Sequence, residues 1–135
     1  MAYLDANVFV YAATHDPAKS GKAKKSISIL RDVEEGQIRG VTSFLTWDEV
    51  VWVVWKLGGR EAAIMAGARF LKLQNLSLVP VNLSVMVRAQ ELIERYQLKP
   101  RDSIHVSTAL IAGEREIISE DAELDVIKEI RRQSL

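Results

Sequence analysis

A chain of 135 residues, 48% hydrophobic and 27% charged, has the composition of a globular protein and is too short for two domains of ordinary size, so residues 1–135 are read as one domain with one core. Its 18 basic residues balance its 18 acidic ones, which excludes recognition of nucleic acid by bulk charge and leaves only local patches. The absence of cysteine excludes disulfides, thiolate metal sites and cysteine nucleophiles, so any metal must be held by oxygen or by the two histidines.

In chain order, Ala2 to Leu4 reads as a short buried strand, and the polar pair Asp5 and Asn7 marks its handover to a helix expected from about Val8. From Pro17 to Glu35, apolar residues recur every three or four positions (Ala23, Ile27, Leu30, Val33) and Gly36 supplies a stop, which predicts an amphipathic helix. Its polar face carries Lys19, Lys22, Lys24 and Lys25, a pattern typical of a solvated helix face. "GVTS" at 40–43 predicts a second strand. The segment "FLTWDEVVWVVWKL" that follows, ending at Gly58-Gly59, is apolar nearly all round and predicts a helix covered on more than one side. Trp47, Trp52 and Trp55 are read there as core and subunit-interface residues.

A further helix is expected over Arg60 to Asn75 and a third strand over 76–81, with Pro80 placing the strand's end. Ser84 is the expected cap of a helix with an apolar stripe at Val85, Ala89, Leu92, Ile93 and Tyr96. "LKPRDSIHVSTALIAG" predicts a helix opening at Pro100 and stopping near Gly113. "EIIS" at 116–119 predicts a fourth strand, followed by Asp121, a short helix and a possible closing strand over 130–135. Strands alternating with helices predict an α/β fold, a three-layer α/β/α sandwich around a mainly parallel sheet of four to five strands. No apolar run reaches the roughly 18 residues of a membrane span and the N-terminus lacks a basic secretory n-region, so a cytoplasmic location is expected, with no membrane.

In such sheets ligands bind beyond the carboxyl ends of the strands. Asp5 follows the first strand, Glu49 lies six residues after the second, Asp121 follows the fourth, and Asp102 lies in the first turn of its helix, where the dipole tolerates an anion. Asp5 and Glu49 interrupt apolar runs, where an unpaired charge is costly to bury. Clustered carboxylates raise one another's pKa unless a cation neutralises them, and an all-oxygen site suits Mg²⁺ or Mn²⁺ rather than Zn²⁺.

These residues also carry a family resemblance. "YLDANVFVYA", the glutamate of "TSFLTWDEVVWVV", "LKPRDSIHVSTAL" and "IISEDAELDVI" resemble, in order and over nearly the whole chain, the four acidic motifs of the PIN domain family, above all compact proteins of the VapC toxin type. The resemblance implies a metal-dependent endoribonuclease, usually a homodimer, as the toxin of a toxin–antitoxin pair. It also implies that Asp5, Glu49, Asp102 and Asp121 are the catalytic, metal-site acids, with Asp5 and Asp102 foremost for direct ligation. Asn7, Ser43 and Ser119 match the accompanying polar positions, whose task would be to orient carboxylates. Leu124 stands where the family often has an aromatic. Lys99, Arg101, Lys22 and Lys25 are the candidate contacts to the RNA backbone, and a cognate antitoxin would present a basic side chain to the acids. His105, a lone helical histidine, is read as an internal or capping residue. The alternative to catalysis is a PIN-like module that binds RNA or protein without turnover. A receiver-type phosphoacceptor would need an aspartate after the third strand, where "LVPVN" has none, and a haloacid-dehalogenase-type phosphatase would need one at Asn7.

Overall fold

The computed structural model describes residues 1–135. In chain order it comprises β1 (Ala2–Leu4), α1 (Ala6–Thr14), α2 (Gly21–Glu34), β2 (Gly40–Ser43), α3 (Phe44–Leu71), β3 (Leu76–Val79), α4 (Leu83–Arg95), α5 (Pro100–Ile111), β4 (Glu116–Ile118), a 3₁₀ turn (Ala122–Val126) and β5 (Arg131–Gln133). All strand pairs are parallel, in the order β3-β2-β1-β4-β5.

Alternation along each strand separates two apolar layers. Tyr3 and Ile117 face a core with Leu92, Leu98, Val106 and Leu124, contributed by α4, the α4–α5 connection, α5 and the 3₁₀ turn. Their chain neighbours Leu4 and Ile118 face the other way, onto Val8, Phe9, Val33, Val50 and Phe70 of α1, α2 and α3. Tyr3, Leu4 and Ile117 are fully buried; each such side chain stabilises the fold by roughly 1.5–3 kcal/mol. The α/β/α sandwich is therefore the architecture, with five strands.

The chain runs from β1 outward to β2 and β3, then returns past β1 to lay down β4 and β5 on its other side. The strand order thus reverses between β1 and β4, and the crevice beyond their carboxyl ends is where open α/β sheets bind ligands.

Several element ends differ from the sequence reading for local reasons. Helix α1 begins at Ala6 rather than near Val8, because Asp5 itself is the N-cap, its Oδ1 accepting the Ala6 N–H at 2.7 Å. Pro17 stays in a turn and α2 starts at Gly21 behind the Ser20 cap, whose hydroxyl accepts the Ala23 N–H. Asn82, not Ser84, caps α4 by accepting the Val85 N–H at 3.1 Å. Gly58-Gly59 does not end a helix outright: helix resumes at once through Gly59, at φ 84° and ψ −176°, a conformation closed to other residues. The two halves of α3 fold together there. Gly67 lets them touch, since a Cβ at that position would meet Trp47 and Val51 at 3.1 Å.

The tryptophans depart from the core reading. Trp47, Trp52 and Trp55 are 40%, 52% and 46% exposed, because the helix buries Thr46, Val50 and Val54 instead and leaves its remaining apolar faces uncovered.

Candidate metal centre

Asp5 ends β1, and its backbone N–H donates to the Ile118 carbonyl at 3.0 Å, continuing the β1–β4 ladder into the crevice. It is 6% exposed and closely held. Ser119, fully buried at the end of β4, donates its hydroxyl to Asp5 Oδ2 at 2.6 Å. The Asn7 amide donates to both Asp5 Oδ2, at 3.3 Å, and Ser119 Oγ, at 3.2 Å. Ser119 Oγ also accepts the Asp121 N–H at 3.0 Å, so one hydroxyl joins the first and fourth acidic motifs. Asp121 then caps the 3₁₀ turn by accepting the Glu123 N–H at 3.0 Å.

Helix α5 begins at Pro100 after Lys99, which provides no side-chain cap, and Asp102 in its first turn faces this turn. Carboxylate oxygens of Asp102, Asp121 and Glu123 all lie within 4.8 Å of one another. Burial, then the charge of Asp121 and a hydrogen bond with it, then Asp5, drive the Asp102 pKa from 3.8 up to about 7, against a smaller opposing pull from His105. Asp102 in this geometry therefore resists ionisation.

Glu49 takes a different partner. Its Oε2 accepts from His105 Nε2 at 2.6 Å, and the same ring nitrogen lies 3.5 Å from Asp5 Oδ1. His105 is 2% exposed, and its Nδ1 meets the Tyr3 hydroxyl at 2.6 Å, forming a buried chain from β1 through α5 to α3. Burial alone would lower the His105 pKa; the Glu49 hydrogen bond and the charges of Asp5, Glu49 and Asp102 outweigh it and raise it above 6.5. A protonated ring would donate from both nitrogens, to Tyr3 and to Glu49. His105 is thus internal and, at once, a bridge between two of the acids.

The structure brings together Asp5, Asn7, Ser119, Asp102 and Asp121, joins Glu49 to them through His105, and adds Glu123. Spacing alone did not single out Glu123, because "SEDAEL" holds three acids and only the capped turn decides which face inward. Glu120 faces away, paired with Lys22 at 2.7 Å and accepting the Leu135 N–H. Ser43 is fully buried and gives its Oγ to the Leu45 N–H as the cap of α3, with no carboxylate partner. Of the basic candidates, Lys22 is engaged with Glu120 and Lys25 donates to the Ser134 carbonyl at 2.9 Å. Lys99 stands 3.6 Å from Glu123, and Arg101 is exposed beside Asp102. Leu124 is 2% exposed in the α4–α5 layer.

The donor set fits a hard divalent cation. It is all oxygen, three carboxylates converge closely enough to share one ion, and Asn7, which bonds Asp5 and Ser119, keeps a buried Oδ1 without a protein donor. No helix is long and apolar enough to cross a membrane.

Comparison with known proteins gives this geometry a context. Among solved structures, the chain is similar to the Mycobacterium tuberculosis toxin VapC20, a sarcin-ricin loop cleaving toxin, at TM-score 0.76 and 14% identity, over 97% of this chain and 99% of that one. It is similar to VapBC2 from Rickettsia felis bound to promoter DNA at TM-score 0.74 and 17% identity, over 99% and 98%. A toxin–antitoxin complex from Klebsiella pneumoniae follows at TM-score 0.67 and 19% identity, over 97% and 96%. At these identities the likeness is one of fold. No curated protein sequence matches the chain. The PIN domain family model matches residues 2–130, and with an all-parallel sheet and four acidic motifs gathered at its switch point, the chain belongs to the PIN domain family.

Proposed function

We propose that the protein is a metal-dependent endoribonuclease that hydrolyses RNA phosphodiesters, and that it acts as the toxin of a type II toxin–antitoxin pair. The observation that carries the reading is the convergence of Asp102, Asp121 and Glu123, with Asp5 beside them, at the strand-order reversal of a PIN fold. Mg²⁺ or Mn²⁺ would be held by these carboxylates. Such an ion supplies Lewis acidity toward a phosphoryl group and lowers the pKa of water. The chain's own groups do the rest. Ser119 and Asn7 fix the Asp5 carboxylate, while His105 holds Glu49 at the rim and partly offsets the crowded negative charge. Lys99 and Arg101, exposed at the start of α5, would meet the RNA backbone.

Partners follow from the same reading. The solved relatives include toxin–antitoxin complexes, and a cognate antitoxin here would cover the acidic crevice with a basic side chain. A homodimer would form through the apolar face of folded-over α3. There Trp47, Val51 and Trp55 oppose Ile64, Ala68 and Leu71 across a groove of about 360 Å³.

The test is cleavage of RNA by the pure protein with Mg²⁺ or Mn²⁺, and with EDTA, alongside Asp5→Asn and Asp102→Asn. Metal-dependent cleavage by wild type that both variants lose is expected. Equal cleavage by all three would assign the activity to a contaminant, and no cleavage of any RNA tested would favour a PIN-like binding module.

A further inference from the structure

Two of the three converging carboxylates, Asp121 and Glu123, ride on a single loop, and one cation sits behind it. Arg132 of β5, with a side chain 16% exposed, donates Nη1 to the Ser119 carbonyl at 3.0 Å. Its Nε and Nη2 donate to the two oxygens of Asp125 at 2.7 and 2.9 Å, a bidentate fork that a lysine cannot reproduce. These two acceptors bracket residues 119–125. Behind them, β5 is fixed to β4 by the Arg132–Ile117 register and by the Ser119 N–H, which donates to the Gln133 carbonyl at 3.0 Å.

The bracketed loop has a reason to spring open. Asp121 and Glu123 face Asp102 within 4.8 Å, three carboxylates in one small space. Repulsion of this kind pushes an untethered loop outward, and a cation would then have to pay for its closure. Ser119 transmits any shift, because its hydroxyl holds both Asp5 Oδ2 and the Asp121 N–H.

We propose that Arg132 is a positioning residue of the metal centre: by clamping both ends of residues 119–125 it holds Asp121 and Glu123 against Asp102 before a divalent cation arrives. The inference rests on the divalent-metal reading of the site and adds a residue outside all four acidic motifs. Arg132 touches none of the three carboxylates; it acts through Ser119 and Asp125.

The experiment measures Mn²⁺ affinity of the full chain by electron paramagnetic resonance of the free ion, for wild type, Arg132→Gln, Arg132→Lys, Asp125→Asn and the Arg132→Gln/Asp125→Asn double variant. Metal-free thermal melts run in parallel. Arg132→Gln is expected to weaken Mn²⁺ binding about 10-fold or more. Arg132→Lys, which keeps the charge and loses the fork, should weaken it in the same direction, and the double variant should be no weaker than the worse single. A purely structural arginine would lower the melting temperature and leave the affinity of the folded protein unmoved. Wild-type binding with affinity within twofold in folded Arg132→Gln would overturn the clamp alone. Should that variant not fold, unchanged affinity in Arg132→Lys and Asp125→Asn would do the same. Absence of Mn²⁺ binding by wild type would overturn the metal reading itself and the clamp with it.

Discussion

Asp102→Asn should make the metal-free protein more stable at pH 8 while removing one of the proposed metal-site acids. The rise of the Asp102 pKa from 3.8 to about 7 corresponds to about 4 kcal/mol at 1.36 kcal/mol per pH unit. Asp102 is only half-buried, so solvent and salt screening reduce the realised effect to about 1–2 kcal/mol. Because the folded state holds this proton more tightly than the unfolded one, stability is full below the unfolded pKa near 3.8 and falls as pH rises to about 7. His105, raised above 6.5, contributes the same sign: its stability is present below 6.5 and lost as pH climbs through the folded value. The difference between wild type and Asp102→Asn therefore isolates the carboxylate. Thermal melts in EDTA between pH 5 and 8.5 should show the variant melting about 3–6 °C higher at pH 8, with the gap narrowing toward pH 5. A variant that melts at or below wild type at pH 8, with a difference that does not vary with pH, would refute the repulsion argument.

His105→Ala leaves the Tyr3 hydroxyl and Glu49 without their buried partner; a loss of about 2–3 kcal/mol is expected as a lower urea midpoint. Gly59→Ala forces a side chain into φ 84°, ψ −176° with no neighbour to clash, so urea denaturation should report backbone strain alone, a cost of about 1–3 kcal/mol. Trp55→Glu with Ile64→Glu charges both walls of the α3 groove; light scattering should show a wild-type dimer become monomeric, and a wild type already monomeric at micromolar concentration removes that interface. Mg²⁺ or Mn²⁺ should raise the wild-type melting temperature at pH 8 and leave that of Asp102→Asn nearly unmoved, since the ion neutralises the same charges; equal shifts in both would place the ion elsewhere.

The alternation of strands and helices, the order of the acids and their position after the strands were legible in the sequence, because each is written in local periodicity and in turn chemistry. Asp5 shows the gain and its limit: the residue was found as the end of a strand, yet its bond to Ser119 spans 114 positions along the chain. Glu123, the Tyr3–His105–Glu49 chain and the Arg132 clamp have no sequence period, since side chains from different elements meet only when β1, β4 and β5 lie side by side. The core half of the tryptophan reading failed for a related reason. An all-apolar helix announces that something must cover it, but which face the sheet takes depends on packing, and here Thr46, Val50 and Val54 won. Sequence by itself determined the parallel α/β layout and four of the acids, through hydrophobic spacing and motif order. Tertiary structure alone decided which carboxylates converge and which is drawn away by a histidine, because convergence is set by distances between elements remote in the chain.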